Sequence, residues 1–198
     1  MNIHTFGKQT VSFNLRRFNI LKILFISLTT LLILPSCATY PEQELITTVY
    51  FVRHAEILPN APDPDLSDVG KQRAQTLANI LKDKGITQIH SSETVRTKAT
   101  VAPLATALGL GIEIYDPYDM PTFIARLMKL DGNHLVVGHN LTTPGGVVLM
   151  GGEDTKPPLA DHEYNRLYIV TTSRNGSVST NLTYFGKPYT GEPNTPED

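Results

Sequence analysis

The chain has 198 residues and a single cysteine, Cys37. One thiol excludes an intrachain disulfide, and nothing after Cys37 can act as a cysteine nucleophile or a zinc–thiolate site. Long apolar runs are scarce too. The stretch Ile23–Leu34 covers 12 residues, short of the roughly 20 that span a bilayer as a helix. Residues 1–36 contain no acid, yet carry Lys8, Arg16, Arg17 and Lys22. The formal charge of −2 is therefore unevenly spread. The other 13 basic side chains stand against 19 acidic ones, giving −6 for residues 37–198. An acidic body argues against nucleic acid as a partner. No internal repeat is visible, and the length suits one domain with a substantial core.

A basic segment, a short apolar core and then small residues follow the order of an export signal. Leu34-Pro-Ser-Cys37 resembles the lipobox of bacterial lipoproteins, Leu-x-small-Cys, with proline an uncommon residue at the second place. The resemblance implies cleavage before Cys37, lipidation of Cys37 and a membrane-anchored protein facing the periplasm or the exterior. Ordinary secretion with a free thiol is the alternative. The expected division is a signal peptide over 1–36, a polar tether over 37–47, one domain over 48–186 and a tail over 187–198. The tail has three prolines and no apolar pattern, and is expected to be disordered.

Within the domain, apolar runs and helical patterns alternate. Strands are expected at Thr48–Val52, Ile86–His90, Ile112–Tyr115 and His134–Gly138. Ser67 is placed to cap a helix reaching about Lys84, with Val69, Leu77, Ile80 and Leu81 on its apolar side and Gly85 as its stop. Further helices are expected over Glu93–Leu108, ended by Gly109, over Pro121–Leu130 and over Thr142–Met150. Arg166–Thr172 and Ser177–Tyr184 read as an antiparallel pair turning around Asn175-Gly176. The alternation predicts an α/β fold, a three-layer α/β/α sandwich around a mainly parallel mixed sheet.

Cationic side chains follow three of the strands: Arg53-His54, Arg96 and His139. In a parallel sheet these ends share one edge, where ligands bind. Guanidinium forks fit phosphate oxygens, and neutral imidazole is a nucleophile. Two arginines and two histidines in one place suit a dianion. For isolated residues a surface or satisfied loop role would be preferred, and so it is for His90, by a structural role, and for His134 and His162, by solvated ones.

Four ordered motifs make the case stronger. They are Arg53-His54-Ala55, the helix start Leu66-Ser-Asp-Val-Gly70-Lys-Gln-Arg-Ala74, Ser92-Glu-Thr-Val-Arg96-Thr-Lys-Ala-Thr100, and Val136-Val-Gly-His139. Over residues 48–185 the chain resembles the histidine phosphatase superfamily, whose fold is phosphoglycerate mutase-like. The resemblance implies that His54 takes the phosphoryl group as a phosphohistidine. Arg53, Arg96 and His139 would hold its oxygens and stabilise transition-state charge. No cofactor or metal is implied. Nearby arginines would keep His54 neutral, and His139, close to a dianion, would be protonated.

The proton donor for the leaving group is less legible. Many relatives carry a Glu after the strand that follows the second Arg motif. Here the segment reads Tyr115-Asp-Pro-Tyr-Asp-Met120. Asp119 lies nearer that position by counting, Asp116 is the other candidate or a turn cap, and Glu56 is a third, with an exposed loop role as its plainer reading. Thr142 is left between a phosphate contact and a helix cap, and Ser92 reads as a turn residue. Pro59, Asn60 and Asp63 follow His54 and are placed near the rim. The short stretch from Arg96 to His139 leaves little room for a cap, which favours a small phosphatase acting on phosphomonoesters or phosphohistidine. A mutase-type phosphotransferase and a non-catalytic phosphate-binding lipoprotein are the competing expectations.

Overall fold

The computed structural model describes residues 46–59, 61–153 and 158–188. The expected signal peptide, Cys37, residues 37–45 of the tether, Asn60 and the tail from residue 189 lie outside the described residues. No helix among the described residues is long and apolar enough to cross a membrane.

The chain runs β1 (Ile46–Arg53), α1 (Asp68–Leu81), β2 (Ile86–Ser91), α2 (Val95–Leu108), β3 (Ile112–Ile114), α3 (Met120–Leu127), β4 (Gly132–Gly138), α4 (Thr142–Leu149), β5 (Arg166–Ser173) and β6 (Val178–Tyr184). The strands form one sheet in the order β3-β2-β4-β1-β5-β6. The first four are mutually parallel, and β5 and β6 add antiparallel. This is the expected mixed, mainly parallel sheet.

Side-chain alternation separates the two faces. On β1, Tyr50 and Val52 join a core with Leu77 and Leu81 of α1 and Val101 and Leu104 of α2. Val49 and Phe51 face the opposite way, onto Phe123 and Leu127 of α3 and Val147 of α4. Helices therefore cover both faces, which is why β1 is an unbroken apolar run. Buried on both sides, it makes a three-layer sandwich.

Several boundaries differ from expectation for local reasons. β1 starts at Ile46, two residues early, because Thr47 and Thr48 pair with Gly132 and Asn133 of β4. Ser67 caps α1 as expected, its hydroxyl accepting from the Gly70 N–H at 3.1 Å. The helix ends at Leu81, short of Lys84, and Ile80 lies off its buried face of Ala74, Leu77, Ala78 and Leu81, at 38% exposure. Gly109 closes α2 in a left-handed conformation, φ 66°.

Candidate active site

The ladder between β1 and β4 fixes the site. Arg53 pairs with Gly138, and Ser91 of β2 with Val137. The His54 N–H continues the ladder by donating to the Gly138 carbonyl at 2.9 Å. The segments Arg53-His54, Ser91-Ser92 and Gly138-His139 consequently leave the same sheet edge side by side. Gly138 itself admits no side chain: a Cβ would lie 2.6 Å from the Thr142 hydroxyl and 3.0 Å from that of Tyr115. This edge opens into a cleft of about 980 Å3. Arg53, His54, Arg96 and His139 all line it.

His54 is 5% exposed. Its Nδ1 lies 2.8 Å from the Ala55 carbonyl. A carbonyl can only accept, so Nδ1 carries the proton and Nε2 keeps its lone pair. Burial pushes the His54 pKa down to about 3, with Arg53, Arg96 and His139 acting in the same direction. The expected direction holds, but burial rather than the arginines is the larger cause. The rings of His54 and His139 lie 5.6 Å apart, edge to face.

Arg53 is held from behind. Its Nη1 donates to the carbonyls of Ala160 (3.0 Å), Asp161 (2.6 Å) and Glu163 (3.3 Å). Its guanidinium carbon sits 4.4 Å from the centre of the Tyr164 ring, a cation–π distance, and that ring also lies 5.7 Å from His54. The turn supplying these carbonyls is itself fastened. Glu163 Oε2 accepts from the Ala160 N–H at 3.2 Å, and its Oε1 accepts from Arg166 Nε at 2.6 Å. Arg53 Nε, by contrast, is a buried donor with no hydrogen-bond partner among the described residues. A buried donor left without an acceptor costs on the order of 1–3 kcal/mol.

Arg96 projects from the first turn of α2, an end that favours anions. Its Nη1 pairs with Asp63 at 3.2 Å, and Asp63 also accepts from the Val95 N–H. Asp63 thus anchors the loop to α2.

The other predicted residues fall in different places. Thr142 lines the cleft, and its hydroxyl accepts from the His139 N–H at 2.8 Å. The capping position of α4 belongs to Leu141. Asp119 caps α3, accepting from the Thr122 N–H at 3.3 Å, and does not line the cleft. Asp116 does line it, while accepting from the Tyr118 N–H at 2.9 Å. Glu56 is 5% exposed rather than an exposed loop residue. Its carboxylate is gripped by Arg73 of α1 at 2.7–3.0 Å.

Ser92 and His134 also correct the sequence reading. Ser92 is fully buried and lies 2.9 Å from His139 Nε2, so it orients that ring. His139 is held below its ordinary pKa by burial, then by Arg96 and Arg53, and protonation would need an added negative charge. His134 is buried, not solvated, and stacks on His90 with ring centres 5.6 Å apart. Sequence reasoning missed Tyr164, the carbonyls of residues 160–163 and Glu93, a second carboxylate lining the cleft.

Comparison with known proteins finds similarity in sequence over part of the chain and in fold over most of it. Residues 49–117 match the histidine phosphatase superfamily (branch 1), a stretch containing the Arg53-His54 and Arg96 motifs. The chain is 40% identical over 73 residues to the PE-PGRS family protein PE_PGRS11 of Mycobacterium tuberculosis, covering 32% of this chain and 12% of that one. It is 38% identical over 76 residues to "Probable phosphoglycerate mutase GpmB" of Yersinia pestis, covering 35% of each. The alignments therefore span about an eighth and about a third of these relatives. Among solved structures, the protein histidine phosphatase SixA complexed with tungstate superposes with a TM-score of 0.59 at 21% identity, over 69% of this chain and 96% of that one. The fold is that of the phosphoglycerate mutase-like histidine phosphatases. The family match itself covers 69 of the 198 residues.

Proposed function

We propose that this protein is a phosphatase that hydrolyses phosphomonoesters, or phosphohistidine, through a phosphohistidine on His54, without a metal ion. The observation that carries the reading is a buried imidazole, fixed as the Nδ1–H tautomer by Ala55 and ringed by Arg53, Arg96 and His139. It stays neutral at any ordinary pH and keeps its Nε2 lone pair for phosphorus.

In this reading Arg53 and Arg96 bind the phosphoryl oxygens. Nε2 attacks phosphorus, the bond to the leaving oxygen breaks, and Asp116 gives that oxygen its proton. The dianion offsets the charge of the arginines, so His139 becomes protonated and donates. Asp116, now a carboxylate, takes a proton from water. The water oxygen attacks phosphorus, the P–N bond breaks, and phosphate leaves with His54 neutral again. The likeness to the GpmB protein supports the alternative of a mutase-type phosphotransferase, in which an alcohol replaces the water. We further propose, from Arg16, Arg17, Lys22 and Leu34-Pro-Ser-Cys37, an envelope protein anchored through a lipid on Cys37.

The test is hydrolysis of p-nitrophenyl phosphate by the full chain in EDTA, beside His54→Ala. Turnover in the wild type, lost by a factor of about 10^3 or more in the variant, is expected. Equal rates in the two proteins, or a rate that EDTA removes, would overturn the reading. An inert wild type that nonetheless binds phosphate would point to the binding protein.

A further inference from the structure

In that reading Arg53, His54, Arg96 and His139 are all used on one phosphoryl group. Beyond them, Lys and Arg are missing from the described lining, and its charged residues are Glu93 and Asp116. Glu93 lies within ion-pair reach of Lys98, which is not itself part of the lining. A substrate with a second phosphate or a carboxylate would meet like charge at the rim and find no donor fork to receive it.

The rest of the rim is apolar and presented outward. Tyr118 is 97% exposed and Leu141 82% exposed, and both line the cleft with Ile114 and Pro117. Their positions are built, not frayed. Asp116-Pro-Tyr-Asp119 is a hydrogen-bonded turn, the Asp119 N–H donating to the Asp116 carbonyl at 3.2 Å, with proline at its favoured second place. The Asp116 carboxylate adds a bond to the Tyr118 N–H. Leu141 stands at the start of α4, two residues past His139. Two loops from different strands thus hold apolar side chains out over the same mouth, where water contact is unfavourable and a ligand face would relieve it.

Building on the phosphatase reading, we propose that Tyr118 and Leu141 select the leaving group, and that the substrate is a phosphomonoester of an uncharged, apolar, ring-bearing alcohol. The phosphoryl group enters the cationic end, and the ring lies against Tyr118 and Leu141. Acidic competitors find no cationic partner beyond the phosphoryl site.

Binding of non-cleavable phosphonates tests this without relying on turnover. Phenylphosphonate and phosphonoacetate share a phosphoryl-like head and differ in a ring against a carboxylate. Calorimetry on the full chain is expected to show phenylphosphonate tighter by roughly tenfold or more. In Tyr118→Ser/Leu141→Ser, whose changes are at exposed positions and whose fold is checked by circular dichroism, the ratio is expected to fall to near one. Equal or tighter binding of phosphonoacetate, a ratio unmoved by the double variant, or no binding of either would each overturn the proposal. A preserved preference in a chain that hydrolyses no ester would instead sink the phosphatase reading alone.

Discussion

Asp116 and Asp119 stand three positions apart and do different things. Asp119 spends an oxygen on the first turn of α3, whereas Asp116 looks into the cleft. With an alkyl phosphate, whose leaving alkoxide needs a proton, Asp116→Asn is expected to lower kcat by ~10^2–10^4. The loss should be far smaller with p-nitrophenyl phosphate, which leaves unprotonated. Asp119→Ala should leave kcat within a few fold and cost roughly 0.5–2 kcal/mol of stability as a lost cap. A kcat for alkyl phosphate that survives Asp116→Asn would remove that residue as the acid. Counting along the sequence favoured Asp119 because it cannot see that this carboxylate is used as the cap of α3. The same blindness hid the cradle of Arg53. Backbone carbonyls of Ala160, Asp161 and Glu163 carry no residue signature, and Tyr164 sits in a coil with no motif. The four residues at strand ends were legible because donor and nucleophile chemistry demands particular side chains, in order, after apolar runs.

Among elements, the start of α1 is bound to the loop that carries the nucleophile. The Ser67 N–H donates to the Glu56 carbonyl at 3.0 Å, and a Cβ on Gly70 would lie 2.1 Å from that same oxygen. Arg73, one turn on, grips the Glu56 carboxylate and donates to the carbonyls of Phe185 and Lys187. Gly70→Ala must push α1 off the loop two residues from His54. Losses of roughly 1–3 kcal/mol in stability and at least tenfold in kcat/KM are expected, read by denaturant titration and initial rates. Wild-type values for both would show that the contact does not position the site. Element types and their order were legible throughout, since continuous apolar runs mark strands buried on both faces and helical spacing marks the elements that cover them. Burial was less so. Glu56 reads as an exposed carboxylate until Arg73 arrives from α1, and Ile80 reads as core although Ala74, Leu77, Ala78 and Leu81 carry the packed face.

At the scale of the whole molecule, buried imidazoles set a limit in acid. Burial holds His54 at about 3 and His90 at about 4, and lowers His134 and His139 as well. Each is harder to protonate folded than unfolded, where the ordinary value is about 6.5. Below pH ~6.5 the unfolded chain takes up more protons, so this stability is whole above that pH and is lost as pH falls toward 4 and then 3. The slope is roughly 1.4 kcal/mol per pH unit for each neutral buried histidine. Melting followed by circular dichroism should show a Tm falling steadily between pH 6.5 and 4, and a flatter fall in His54→Ala/His90→Asn. A Tm constant over that range would contradict the burial. The cationic end of the cleft has another consequence under the proposed reading. With Arg53 braced by backbone carbonyls and Arg96 by the Asp63 carboxylate, the guanidinium groups cannot relax once the ester is cut, so free orthophosphate meets the same grip as the substrate. Turnover would then be self-braking, slow where phosphate is plentiful and released where it is scarce, with no regulator beyond the concentration of the product itself.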